Sequence, residues 1–232
     1  MPSCLIIGVS GGVGSKIAEH LTNSGYEVIG TYNENDPKAT SPNSKYYRFN
    51  VLEEVSSIDF LPEVLDGLVY CPGNINLRPF ERIKADDFIN DFQLQVVGAI
   101  KIIQQALPRL KKSNTASVVL FSSAAVQLGL SYHTQVAVSK GAIEGLVRAL
   151  AAEFAPAIRV NGIAPSITDT PLASSLLNNV QKRETLAKNH PLKRIGTTQD
   201  IANLAEFLIS TKSDWMTGQV IHLDGGISKL KT

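Results

Sequence analysis

The sequence predicts an α/β fold in which about seven parallel strands form a doubly wound sheet with helices on both faces. Three observations carry this. Short apolar runs alternate with longer helical patterns from one end of the chain to the other. Most of those runs are near-continuously apolar, as strands covered on both faces require. A glycine-rich turn at residues 8–14 joins the first run to the first helical pattern.

The candidate strands are residues 4–8, 27–32, 46–49, 67–71, 117–121, 158–163 and 219–223. Between them lie helical patterns at 13–24, 86–110, 134–154 and 200–209. The last opens on Thr197-Thr198-Gln199-Asp200, in which Thr197 and Asp200 have the spacing of a reciprocal capping box. Residues 33–44, rich in Asn, Asp, Pro and Ser, read as a surface loop after the second strand. No linker, repeat or low-complexity stretch interrupts the pattern. Residues 1–232, 44% of them hydrophobic, therefore read as one domain with one sizeable core.

The charge balance narrows the partners. With 22 basic and 21 acidic side chains the net charge is +1, which gives no attraction to nucleic acid or an anionic membrane. No apolar run reaches the roughly 20 residues that span a bilayer. Residues 4–7 lead straight into the glycine turn and read as a strand, not a signal peptide. Cys4 and Cys71 both lie in apolar runs, with neither a disulfide framework nor metal-ligand spacing. The expectation is a cytoplasmic protein without a metal.

The turn Gly8-Val9-Ser10-Gly11-Gly12-Val13-Gly14 carries the clearest chemistry. Glycines let a backbone turn tightly and approach a pyrophosphate, and the following helix presents free N–H groups and a positive dipole end. The spacing Gly8-x-x-x-Gly12-x-Gly14 differs from the G-x-G-x-x-G of two-domain dehydrogenases, and no G-K-[ST] follows.

Here the chain resembles the single-domain, Rossmann-type short-chain dehydrogenases/reductases over its whole length. That family shows T-G-x-x-x-G-x-G at this place, with Ile7 standing here for the Thr. Asn50-Val51 resembles the pair that brackets the adenine, and 159–165 resembles the run into the family's P-G turn, with Ser166 replacing the Gly. Thr170, followed by Pro171, fits the residue that contacts the nicotinamide carboxamide, and 217–226 resembles the closing strand and turn. The resemblance implies dinucleotide contacts at Gly8, Ser10, Gly12, Val13, Gly14, Tyr32, Asn33, Asn50, Val51, Gly73, Lys140, Pro165, Ile167 and Thr170. An acid at the end of the second strand would hold the ribose of NAD, and a base nearby would favour NADP. Tyr32, Asn33 and Glu34 stand there, and Gly11 stands where the loop would carry an Arg. The missing acid leans the expectation toward NADP over NAD; the missing base pulls it back. The resemblance also implies a homo-dimer or homo-tetramer that pairs the helices at 86–110 and 134–154.

The family's chemistry uses Asn, Ser, Tyr and Lys. Ser polarises the reacting oxygen, Tyr exchanges its proton, and Lys holds the nicotinamide ribose and lowers the Tyr pKa. Ser123 and Lys140 are in place, but the Tyr position four residues before Lys140 is Val136, and the Asn position is Gln95. Of the N-N-A-G run after the fourth strand only Gly73 remains. A substitute acid would come from Tyr132 or His133. If the helix began by residue 132, Tyr132, Val136 and Lys140 would share one face. His190 reads as structural, Trp215 and Met216 as core or cofactor-lid packing, and Cys71 as an inert buried thiol. Residues 172–190 would close over a small-molecule substrate. Two functions fit: an NAD(P)-dependent oxidoreductase acting on a small carbonyl or alcohol with an atypical proton donor, or a dinucleotide-binding protein without turnover, a redox sensor or assembly subunit. A methyltransferase would share the glycine loop, but Lys140 and the 224–226 turn argue against it.

Overall fold

In the computed structural model, which describes residues 1–37, 39, 41–53 and 57–231, seven strands pair in parallel in the order β3-β2-β1-β4-β5-β6-β7. Residues 38 and 40 of the predicted surface loop lie outside the described residues. In chain order the elements are β1 (Ser3–Ile7), α1 (Gly12–Asn23), β2 (Glu27–Tyr32), β3 (Ser44–Arg48), β4 (Gly67–Tyr70), α2 (Ala85–Phe92), α3 (Gly98–Leu110), β5 (Ser117–Phe121), α4 (Ala125–Leu128), α5 (Thr134–Phe154), β6 (Arg159–Pro165), α6 (Val180–Asn189), α7 (Thr198–Ile209) and β7 (Val220–Leu223).

The apolar runs are continuous because alternate residues serve opposite faces of the sheet. Leu5, Ile7, Leu68, Val118 and Val160 pack under α3 and α5, while Cys4, Ile6, Val69, Val119 and Ile163 pack under α1 and α7. Each such fully buried aliphatic side chain contributes about 2 kcal/mol of transfer free energy. The strand order reverses between β1 and β4, and in open parallel sheets ligands bind beyond the strand C-termini near such a reversal.

The capping box at Thr197 and Asp200 forms with both bonds present. Arg159 and Asn161, which lead the run into the P-G-like turn, have structural partners. Arg159 donates to the carbonyls of Leu208 and Ser210 at the end of α7, and the Asn161 amide bridges Met216 O and Gln219 N–H ahead of β7.

Three expectations need correction. The helix predicted at 86–110 is broken by a π turn, Gln93–Val97, between α2 and α3. The Tyr70 hydroxyl donates to Leu94 O inside that turn, and a Cβ at Gly98 would lie 2.3 Å from the same hydroxyl. The missing side chain at 98 thus lets Tyr70 reach into the helix. Trp215 is fully exposed, not core or lid, while Met216 does pack on the α1/α7 side. Residues 180–189 form a helix that no apolar period announced, because α6 has no buried residue.

Candidate active site

The glycine turn is shaped by backbone demands. Gly8 sits at φ +88°, a left-handed conformation that side chains disfavour, and the N–H groups of Gly8 and Val9 both donate to Thr31 O at the end of β2. Gly11 caps α1 without any side-chain bond, so the first-turn N–H groups are left for an anion. Pro171 and Thr170 close over Gly12, where a Cβ would lie 2.9 Å from the Pro171 ring. The turn therefore fits a dinucleotide pyrophosphate on the evidence of its own geometry. Ser10 is exposed beside it.

At the ends of β2 and β3, where the family resemblance would set the adenosine, stand Tyr32, exposed Asn33 and the Asn50–Val51 pair. Asn50 Oδ1 accepts the Leu52 N–H, and Val51 is buried in the α3/α5-side core. Parallel pairing sets Arg48 opposite Tyr32, and the Arg48 guanidinium donates to Asn33 O at 3.2 Å. A base thus stands where none was read from the sequence.

Beyond β5 and β6 opens a cavity of about 730 Å³. Val13, Ser123, Val136, Lys140, Pro165 and Thr170 meet in its wall, and Ile167 lines it as well. Ser123 Oγ accepts the Ala125 N–H at 3.2 Å, which leaves its own hydrogen for a ligand. Thr170 caps the short turn at Pro171–Ala173 through its hydroxyl.

Lys140 emerges from α5 on the same wall, and its Nζ donates to Phe121 O at 2.9 Å. Behind it lies a buried polar network. Asp91 on α2 accepts from Gln95 Nε2 at 2.8 Å and from the Ser139 hydroxyl at 2.6 Å. Gln95 sits in the π turn, a helix irregularity often found at functional sites, and its buried Oε1 has no partner among the described residues. Gly73 lies against both, since a Cβ there would meet Gln95 Oε1 at 3.5 Å and Lys140 Nζ at 3.8 Å. Burial pushes the Lys140 pKa down to about 8, opposed chiefly by the charge of Asp91. The Cys71 thiol, also on the cavity wall, is pushed up to about 12 by burial, so it stays protonated and inert near neutrality.

The Lys140 shift sets a stability prediction. Its folded pKa lies below the ordinary lysine value of 10.5. Between about pH 8 and that value the unfolded chain holds a proton the folded chain has released, so folding gains stability as pH rises. Denaturant melts of wild type against Lys140→Met are expected to show this gain, up to about 3 kcal/mol, in the wild type alone. Equal pH slopes in the two proteins refute the shift.

Comparison with known proteins decides the kinship. Residues 8–228 match a family model described as enoyl-(acyl carrier protein) reductase, from the short-chain dehydrogenase/reductase group. The chain belongs to the short-chain dehydrogenase/reductase family of oxidoreductases. It is 28% identical to the Bacillus subtilis oxidoreductase YmfI, over 97% of this chain and 98% of that one. Its fold superposes on the aldohexose dehydrogenase of Thermoplasma acidophilum with a TM-score of 0.92 at 24% identity, covering 100% and 96% of the two chains. The Pseudomonas aeruginosa RhlG complex with NADP matches with a TM-score of 0.90 at 27% identity, covering 98% and 96%.

Within this short-chain dehydrogenase/reductase the structure brings Ser123, Lys140, Val136 and His133 onto one cavity, with Gln95 behind Lys140. Tyr132 is not among the lining residues. The shared-face spacing required a helix by residue 132, but α5 begins at Thr134, and Tyr132 sits at φ +66° and 58% exposed. His133 lines the cavity, and with its Nδ1 2.7 Å from Ser131 O its Nε2 has no hydrogen-bond partner among the described residues. Four further residues matter. Arg48 reaches the groove through strand register, Asp91 lies one helical turn before Gln95, and Ser166 and His190 meet across 24 residues of chain. Ser166 alone had a sequence signal, as the residue replacing the family's Gly.

Proposed function

We propose that this protein is an NADP(H)-dependent oxidoreductase acting on a small, largely apolar carbonyl or alcohol. The observation that carries the reading is that the uncapped glycine turn and the Ser123–Lys140 pair open onto one apolar cavity. When bound, the nicotinamide supplies hydride chemistry, which belongs to the cofactor. The chain's own residues bind, orient and exchange the proton. Gly12 and Val13 offer backbone N–H groups to the pyrophosphate, Lys140 reaches the ribose hydroxyls, and Thr170 meets the carboxamide. Ser123 donates to the reacting oxygen and His133 Nε2, or a water it holds, exchanges the proton there. At about 730 Å³ the cavity is within the range of small-molecule sites. Titration with NADPH and NADH, followed by a carbonyl panel, tests the reading; no binding of either dinucleotide refutes it.

Arg48 supports NADP over NAD. Its guanidinium beside Asn33 is placed to pair with a ribose 2′-phosphate, a contact NAD cannot make. Arg48→Ala is expected to weaken NADPH binding about tenfold or more, with little effect on NADH. Equal losses for both would assign Arg48 to the loop rather than the phosphate.

Val136 favours a second reading, a dinucleotide-binding protein without turnover, because it fills the proton-donor position with methyl groups. Among the described residues no helix is long and apolar enough to cross a membrane. The free thiols Cys4 and Cys71 suit a reducing, cytoplasmic setting. The homo-oligomer implied by the family would pair the segment 86–110, α2 through α3, and α5 between copies.

A further inference from the structure

Ser123 and Ser166 end neighbouring strands. The Ala124 N–H donates to Pro165 O at 2.9 Å, extending the β5–β6 pairing past the end of β5, so Ser123 stands opposite Pro165 and Ser166 follows one residue on. Both serines line the cavity. Their polarities differ, and the difference follows from their partners.

Ser123 Oγ already accepts the Ala125 N–H, and its O–H has no acceptor among the described residues, so it faces a ligand as a donor. Ser166 Oγ lies 2.8 Å from His190 Nε2, and His190 Nδ1 lies 2.7 Å from Leu186 O. A carbonyl only accepts, so Nδ1 carries the hydrogen and Nε2 of the neutral ring is bare. Ser166 therefore spends its hydrogen on His190, and its remaining lone pair faces a ligand as an acceptor. His190 is 2% exposed and ends α6, which fixes this arrangement. Much of the cavity wall is apolar, with Leu128, Leu172, Leu176 and Leu186 among its lining residues, while Gln181 and Thr185 line it from α6.

We infer that the substrate carries a hydrogen-bond donor on the carbon next to its reacting oxygen, making it an α-hydroxy carbonyl or the matching vicinal diol, and that Ser166 backed by His190 reads that donor. The inference rests on the redox reading of this cavity. Two oxygens on adjacent carbons, each bridged to a serine by an O–H···O bond, fit hydroxyls on chains about 4.8 Å apart. The carbonyl takes the hydrogen of Ser123, and the neighbouring hydroxyl gives its own to Ser166. A methyl ether there has no hydrogen to give and adds bulk.

The test compares α-hydroxyacetophenone, α-methoxyacetophenone and acetophenone in two ways: kcat/KM with NADPH, and calorimetric binding to the chain saturated with NADP⁺. The wild type is expected to favour the hydroxy over the methoxy ketone by about tenfold in both. Ser166→Ala erases the ratio. His190→Leu releases the Ser166 hydrogen and moves the ratio toward the methoxy ketone; if that variant fails to fold, Ser166→Ala decides alone. A ratio near one in the wild type, or one that survives Ser166→Ala, overturns the inference while leaving redox activity intact. Binding that discriminates, loses discrimination in Ser166→Ala, and is accompanied by no turnover upholds the recognition and overturns the redox reading instead.

Discussion

Valine at position 14 is expected to abolish dinucleotide binding while leaving the far-UV dichroism of the protein unchanged. A Cβ on residue 14 would lie 2.2 Å from Gly8 O and 3.0 Å from Gly8 C, with Val9 Cα at 3.3 Å. These are backbone atoms of the turn itself, so no side chain can rotate away. Either the turn or the start of α1 must move, and the N–H groups lose their aim at the pyrophosphate. The rest of α1 is held by Ile17, Ala18 and Leu21, all buried against the sheet, so its helicity survives. Gly11→Ala is the contrast. A Cβ there meets only Gly8 O, at an ordinary 3.7 Å, and binding should persist. NADPH fluorescence titration reads both variants. Retained binding in Gly14→Val would show that the turn does not hold the dinucleotide.

Much of this architecture was legible from local pattern. The doubly wound sheet, the glycine turn and the bounds of α5 follow from apolar runs, glycine spacing and helical period, which are properties of neighbouring residues. The features that escaped depend on contacts between distant ones. Arg48 looked like the end of an ordinary strand until parallel register set it beside Tyr32. Ser166 read only as a replaced Gly and His190 only as structural, because their hydrogen bond forms only when α6 folds over the end of β6. The π turn needs Tyr70, Leu94 and Gly98 together, and no helical periodicity reports it. α6 was invisible for the opposite reason: it packs on nothing firmly enough to require an apolar stripe. That weak packing suits an element roofing a substrate cavity, since local opening is easiest where few apolar side chains are buried.

His133→Ala is expected to lower carbonyl turnover by about 10²-fold or more, and Tyr132→Phe to leave it unchanged. The asymmetry comes from where α5 begins. With Thr134 as the first helical residue, Tyr132 lies in the preceding turn, 58% exposed and not among the cavity-lining residues. His133 is the cap, and the Ser131 carbonyl holds Nδ1–H, so Nε2 is the atom left to exchange a proton: bare, it takes one from an alcohol, and as the imidazolium it gives one to a reduced carbonyl. The reacting oxygen must lie near Ser123, and Val136, one turn before Lys140, presents only methyl groups there. A proton must then come from the rim, and His133 is the proton-carrying side chain that the start of α5 sets among the cavity-lining residues. Val136→Tyr completes the experiment. It puts a phenol one turn from a Lys140 whose pKa already lies at about 8, close enough to neutrality to share a proton with its neighbours. In an active wild type, Val136→Tyr should rescue His133→Ala by supplying the lost acid. If His133→Ala costs nothing, the proton enters by another path and the rim assignment fails. If the wild type binds NADPH, turns over no carbonyl, and gains activity only as Val136→Tyr, then this chain keeps the family's binding surface without its proton chemistry, and the reading as a dinucleotide-binding protein prevails.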